Sequence, residues 1–169
     1  MKIAVVSDTH WQPGSELPKV LELLAAEKPD LVLHAGDWTS LQLWGYLSRI
    51  ARTEGVAGNC DDAALVAEMG LFRLVRAEGV DIGLLHGHNF GRTAEESAGL
   101  AVKMAFADKP VQVIVFGHSH IPCNRVENGV LFFNPGSCSR PMGEVKRPSY
   151  GILTIKGGEV YGEIIYFDK

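Results

Sequence analysis

Ile3-Ala4-Val5-Val6 runs into Asp8-Thr9-His10, and four later segments repeat that arrangement. Leu31-Val32-Leu33 leads through His34-Ala35 to Gly36-Asp37, and Val56-Ala57 opens onto Gly58-Asn59-Cys60-Asp61. Ile82-Gly83-Leu84-Leu85 stops at His86-Gly87-His88, and Val113-Ile114-Val115-Phe116 meets Gly117-His118-Ser119-His120. Short apolar runs bounded by turn residues read as buried strands. In open α/β sheets the ligand site lies outside the carboxyl ends of the strands. Five strands that deliver Asp, His and Asn to one rim predict a single polynuclear metal site, with hydrolysis as its chemistry.

Working outward, Leu17, Val20, Leu21, Leu23 and Leu24 stand at helical spacing before Lys28-Pro29-Asp30. Ser40 is placed to cap a second helix through Leu41, Leu43, Leu47 and Ile50. Strand–helix–strand–helix–strand over residues 2–57 implies parallel strands with crossover helices. Residues 72–77 and 80–85 flank Glu78-Gly79 as a hairpin. Thr93 is read as the cap of a helix reaching about residue 107, closed by Lys109-Pro110. Residues 125–127 and 130–133 flank Asn128-Gly129, a strong hairpin signal. Residues 150–155 and 160–167 flank Gly157-Gly158 in the same way. The second half is thus richer in antiparallel pairs. An α/β chain with two packed sheets and helices outside is expected, as a single domain over residues 1–169.

Composition narrows the chemistry. The 169 residues carry a formal net charge of −4, which gives no overall pull toward nucleic acid or an acidic membrane. No stable nucleic-acid complex is expected, and phosphate affinity must come from a local site. Cys60, Cys123 and Cys138 match neither a disulfide framework nor a thiolate zinc site. They read as free thiols in a reducing compartment. The first strand follows Met1 too closely for a signal peptide, and no apolar stretch approaches the ~20 residues of a membrane span. A cytoplasmic location follows as an expectation.

The candidate ligands are Asp8, His10, Asp37, Asn59, His86, His118 and His120. Mixed nitrogen and oxygen donors without thiolate suit Mn, Ni, Co, Fe or Zn. The carboxylate of Asp37 has two oxygens and is able to bridge two ions. Two divalent ions carry a formal +4, which two carboxylates and a bridging hydroxide reduce to about +1. Such a centre attracts an anion although the whole chain is acidic.

Taken in order, Asp8-x-His10, Gly36-Asp37, Gly58-Asn59-x-Asp61, His86-Gly87-His88 and Gly117-His118-Ser119-His120 resemble the calcineurin-like metallophosphoesterase signature. The short chain and Asn134-Pro135-Gly136-Ser137 resemble the small YfcE-type phosphodiesterases, whose eukaryotic relative is a retromer scaffold subunit. The resemblance implies a four-layer αββα sandwich, two mixed β-sheets flanked by helices, with two metal ions at the strand ends. It places Asp8, His10, Asp37 and His120 on one ion and Asp37, Asn59, His86 and His118 on the other. Manganese is the expected metal. A metal-bridging hydroxide would hydrolyse a small-molecule phosphodiester. Many members of the superfamily carry His where this chain has Cys60, and a thiol is a weak hydrogen-bond donor. Protonation of a poor leaving group is therefore in question.

Residues around the signature each have two readings. His88 either assists as an acid that touches substrate phosphate or is a solvent-facing loop residue. Asp61 either orients a neighbouring group beside Asn59 or caps a helix. His34 fits a buried hydrogen bond better than a metal. Trp11 and Trp38 follow ligands and either stack on an aryl group or pack, packing being favoured. Arg140, Lys146 and Arg147 either guide phosphate or form a solvated loop. A non-catalytic protein-binding scaffold of the same fold is the alternative function, and a phosphomonoesterase or phosphoprotein phosphatase is a further one. A homo-oligomer is compatible with all of them. The intact ligand set favours the enzyme.

Overall fold

Along the first strand, β1 (Lys2–Val6), Ile3 and Val5 join one buried cluster while Ala4 and Val6 join another. Alternation with period two is what a strand buried on both faces requires. The computed structural model describes residues 1–88 and 111–168. β1 pairs in parallel with β2 (Leu31–His34), which pairs in parallel with β3 (Arg52–Gly55). The helices α1 (Val20–Glu27) and α2 (Gln42–Ser48) provide the crossovers, and α3 (Ala63–Met69) follows β3.

A second sheet begins with β4 (Phe72–Ala77) and β5 (Val80–Leu85), followed by β6 (Val113–Val115), β7 (Cys123–Glu127) and β8 (Val130–Asn134). The chain then returns to the first sheet as β9 (Ser149–Lys156) and β10 (Glu159–Tyr166). The two five-stranded sheets run β10-β9-β1-β2-β3 and β4-β5-β6-β8-β7. Each mixes parallel and antiparallel pairs, as expected. Between them lies a core in which Ile3, Val5, Leu31 and Leu33 meet Ile82, Leu84, Val113, Val115 and Phe133. Helix residues Leu21, Leu24, Leu43, Leu47 and Leu65 cover the outer face of the first sheet. The helix expected from Thr93 lies outside the described residues.

The three hairpins turn where the sequence places them. Glu78-Gly79, Asn128-Gly129 and Gly157-Gly158 all have positive φ at both positions, the geometry of a type I′ turn that matches strand twist. Other boundaries shift. Leu17 precedes α1, which starts only at Val20, after Pro18. Ser40 lies two residues before α2, its hydroxyl accepting from the Gln42 N–H at 3.3 Å. Val56 and Ala57 follow β3 rather than forming it; the strand is the more polar Arg52–Gly55. Helix α3 enters the sequence reading only as the alternative of a cap at Asp61; its cap is Asp62, which accepts from the Leu65 N–H at 2.9 Å.

Phe133 is fully buried between the sheets, and only glycine fits against it on β9. A Cβ at Gly151 would stand 2.3 Å from its ring. Overpacking a filled core costs about 1–3 kcal/mol. Gly151→Ala should destabilise the fold by that amount, read as a lowered midpoint in thermal or denaturant unfolding.

Candidate metal centre

The ends of β1, β2, β5 and β6 and the loop after β3 meet where the two sheets face each other. The His118 N–H donates to Asp8 Oδ2 at 3.2 Å and the Gly117 N–H to the His86 carbonyl at 3.1 Å. Close approach here depends on glycine: a Cβ on Gly36 would stand 2.6 Å from the His86 ring, and one on Gly58 would stand 2.2 Å from Asp37 Oδ1. The loops also bend sharply. Asp8, His10, Asp37, His118 and His120 all adopt positive φ, between 46° and 68°. Holding a non-glycine residue there costs about 1–3 kcal/mol, so the surrounding packing must impose it.

One ligand from each of Asp8, His10, Asp37 and His120 falls within 4.8 Å of the others. His120 Nδ1 lies 2.6 Å from the Arg140 carbonyl. A carbonyl only accepts, so that nitrogen carries the proton and Nε2 is presented to the site. It lies 3.1 Å from Asp8 Oδ1 and 3.4 Å from His10 Nε2. Among the described residues, Asp8 Oδ1 is buried without a hydrogen-bond partner. A buried carboxylate oxygen in that condition is costly unless a cation faces it. The donor set and this orphaned oxygen therefore fit a divalent ion.

Beside this group, His86 Nδ1 donates to the Ala35 carbonyl at 2.7 Å. Its Nε2 then faces Asn59 Oδ1 at 3.1 Å, Asp37 Oδ1 at 3.4 Å and Asp8 Oδ1 at 3.9 Å. Lone pairs converge again. The His118 ring stands edge-on to His86, with centroids 5.2 Å apart. Asp37 lies between the two groups, its Oδ1 toward His86 and its Oδ2 3.7 Å from His10 Nε2. Four of the seven expected ligands thus form one tight group, and Asn59, His86 and His118 gather next to it.

The protonation tendencies follow from these contacts. Burial opposes the Asp37 carboxylate, but His86 and the Cys60 N–H outweigh it and hold the group below the usual carboxylate range. Burial likewise opposes a charged His86, and Asp37 and Asp8 overcome it to raise that imidazole. The Asp8 carboxylate raises His120. Desolvation lowers His10, His118 and His88. The Cys60 thiol is pushed up to about 11 by desolvation and by Asp37. It stays protonated at neutral pH.

The neighbouring residues resolve mostly into support. Asp61 accepts from the backbone N–H groups of Asp37 (3.0 Å), Thr39 (2.7 Å) and Gly58 (2.7 Å), tying the loop after β2 to the loop after β3. Asp62, not Asp61, caps α3. Between Thr9 Oγ1 and His34 Nε2 the separation is 3.0 Å, and His34 stacks on Trp38 inside the core. Trp38 is fully buried and donates to the Val56 carbonyl; Trp11 is nearly buried and donates to that of Glu16. Trp38 packs, as the sequence favours, and Trp11 packs while also lining an open groove. The Arg140 carbonyl serves His120, while Arg147 pairs with Asp168. His88 lies 5.4 Å from His86 between ring centroids, and its Nδ1 is buried without a hydrogen-bond partner among the described residues.

Two supporting residues were noted in the sequence without a structural role. Asn134, fully buried, donates to the Gly117 carbonyl at 2.9 Å and to Ser119 Oγ at 3.1 Å. Ser137 donates to the Asp8 carbonyl at 2.8 Å and accepts from the Arg140 N–H. Together they fix the loops that carry His118, His120 and Asp8. The signal was Asn-Pro-Gly-Ser itself, a turn whose polar side chains had no visible partner in sequence.

Residues 1–158 match the calcineurin-like phosphoesterase superfamily domain. The chain belongs to that superfamily. A relative from Methanothermobacter thermautotrophicus named "probable metallophosphoesterase" is 33% identical, covering 98% of this chain and 92% of its own. Phosphodiesterase YfcE of Escherichia coli is 30% identical, over 90% of this chain and 87% of its own. Among solved structures, Vps29 from Entamoeba histolytica complexed with zinc superposes with a TM-score of 0.71 at 24% identity, over 99% and 100% of the two chains. At that identity the last match speaks for the fold alone, and the fold agrees.

Removing the Asp61 carboxylate would strand three backbone donors and loosen the loop that aims Asp37. Loss of such supporting contacts typically weakens metal binding by about 10–100-fold. Asp61→Ala should show that loss in a calorimetric Mn²⁺ titration while the far-ultraviolet spectrum stays native.

Proposed function

We propose that this chain, as one domain over residues 1–169, is a metal-dependent phosphodiesterase acting on small phosphodiesters. The observation that carries this reading is the placement of Asp37, with one carboxylate oxygen toward each of two adjacent groups of ligand atoms. Asp8, His10, Asp37 and His120 would hold one divalent ion, and Asp37, Asn59, His86 and His118 the other. Manganese suits this nitrogen and oxygen set, with Ni, Co, Fe and Zn as the other candidates. Bound there, the ions supply an activated water and neutralise charge on the phosphoryl oxygens.

The chain's own residues account for the rest. The Ala35 and Arg140 carbonyls fix the tautomers of His86 and His120, so that each presents Nε2 to the site. Asp61 and the Cys60 N–H orient Asp37. Asn59 faces His86 with a neutral oxygen and adds no charge. His88, beside His86 and with a buried nitrogen that has no partner among the described residues, is positioned to contact a substrate oxygen. A loaded centre near +1 matches a singly charged diester better than a dianionic monoester. Cys60 and Cys138, neither in a disulfide, suit a reducing cytoplasm, and no described helix is long and apolar enough to cross a membrane. A complete donor set favours an enzyme over a pure protein-binding scaffold, which can lose ligands without penalty.

Elemental analysis after Mn²⁺ reconstitution should approach two ions per chain. His86→Ala and Asn59→Ala should lower that value toward one, and Asp37→Ala should lose both ions. A value of one or below in the intact protein would overturn the two-ion assignment.

The Cys60 thiol is a poor proton donor, and general acid catalysis is worth about 10²–10⁴-fold. Rates should therefore fall steeply as the leaving group's pKa rises. Cys60→Ala should leave turnover of aryl diesters within about twofold, and Cys60→His should speed poor leaving groups. A large loss in Cys60→Ala protein that retains two metals would show that the thiol acts directly.

A further inference from the structure

An open groove of about 510 Å³ adjoins the metal centre and shares Thr9 and His10 with it. Its apolar wall is made by Trp11, Leu17, Pro18 and Phe167. Trp11 and Phe167 are 6% and 9% exposed, whereas Leu17 at the lip is 46% exposed. The wall is preformed: the Trp11 indole N–H donates to the Glu16 carbonyl at 3.1 Å, and its ring packs edge-on against Tyr46. Ser139 lines the groove beside His10, its hydroxyl held by the Asp8 carbonyl at 3.0 Å. The groove and the centre therefore share one rigid seam.

Its chemistry is selective. The volume falls in the range of small-molecule sites. Among the described residues, Glu16 and Glu22 line the groove against a single lysine, Lys19, whose Nζ already donates to the Asp168 carbonyl at 2.8 Å. A second phosphate or another anionic substituent would meet a net negative rim. An uncharged ring would instead cover the exposed Leu17, lie along Trp11 and Phe167, and offer donors to the carboxylates.

We infer that this groove is the subsite for one ester arm of the substrate, and that it selects an uncharged, aryl- to nucleoside-sized group with hydrogen-bond donors. The inference rests on the phosphoesterase reading and adds the substrate class to it. Leu17 sets the specificity from the lip, and Trp11 forms the floor.

The test is binding rather than turnover. Zinc-loaded protein, which is diamagnetic, is titrated by amide and indole NMR with phenyl phosphate, methyl phosphate and inorganic phosphate. Phenyl phosphate should bind about tenfold more tightly than methyl phosphate and move the Trp11 indole resonance, which methyl phosphate should leave in place. Leu17→Glu should abolish that advantage while methyl phosphate binding in the same variant provides the charge control. Equal affinity for the two esters, or an advantage that survives in Leu17→Glu, overturns the groove assignment. Failure of all three anions to bind overturns it together with the phosphoesterase reading, and the methyl phosphate arm tells the two failures apart.

Discussion

Two carboxylates, Asp8 and Asp37, are buried at one rim of the molecule, the first completely and the second almost so. Neither has a lysine or arginine as an ion-pair partner among the described residues. Burying unpaired charge costs several kcal/mol per ion in a relaxed protein, and imidazoles and backbone N–H groups answer it here. The protein tolerates the arrangement only because backbone donors and neighbouring histidines reach Asp37, and because a cation suits the orphaned Asp8 oxygen. Most other features of the rim can be traced to this constraint.

The loops show how it is met. Left-handed backbone at five candidate ligands turns each side chain back across the strand ends, and glycines at 36, 58 and 117 let backbone and side chains approach closely enough. Such strain persists only where packing over-determines it. Asp61, Asn134 and Ser137 supply that determination by bonding backbone groups of the ligand loops instead of the ligand atoms themselves. A layer of neutral or backbone-directed polar contacts thus surrounds a charged interior, and the two sheets behind it keep the rim rigid.

Much of this was legible in the sequence because the strands are short, apolar and punctuated by the residues that carry chemistry. Asp8, His10, Asp37, His86, His118 and His120 could be picked out since each follows an apolar run, and the hairpins could be placed because Asn-Gly and Gly-Gly demand positive φ. β3 and α3 were less visible. Arg52–Gly55 is a polar edge strand with no alternation, and α3 is a seven-residue helix whose cap, Asp62, adjoins the similar Asp61.

The sequence by itself determined which residues could bind a metal and on which kind of turn each would sit, since those depend on local chemistry and short-range periodicity. Only the tertiary structure decided how they group. Asp8 and His120 are far apart in the chain and come within 3.1 Å because β1 and β6 belong to different sheets packed face to face. The tertiary structure likewise assigned Asp61 to backbone support, buried Trp38 in the core, and opened a groove between Trp11 and Phe167 at opposite ends of the chain. Contacts of that kind arise from the packing of two surfaces, and no spacing along a single chain encodes them.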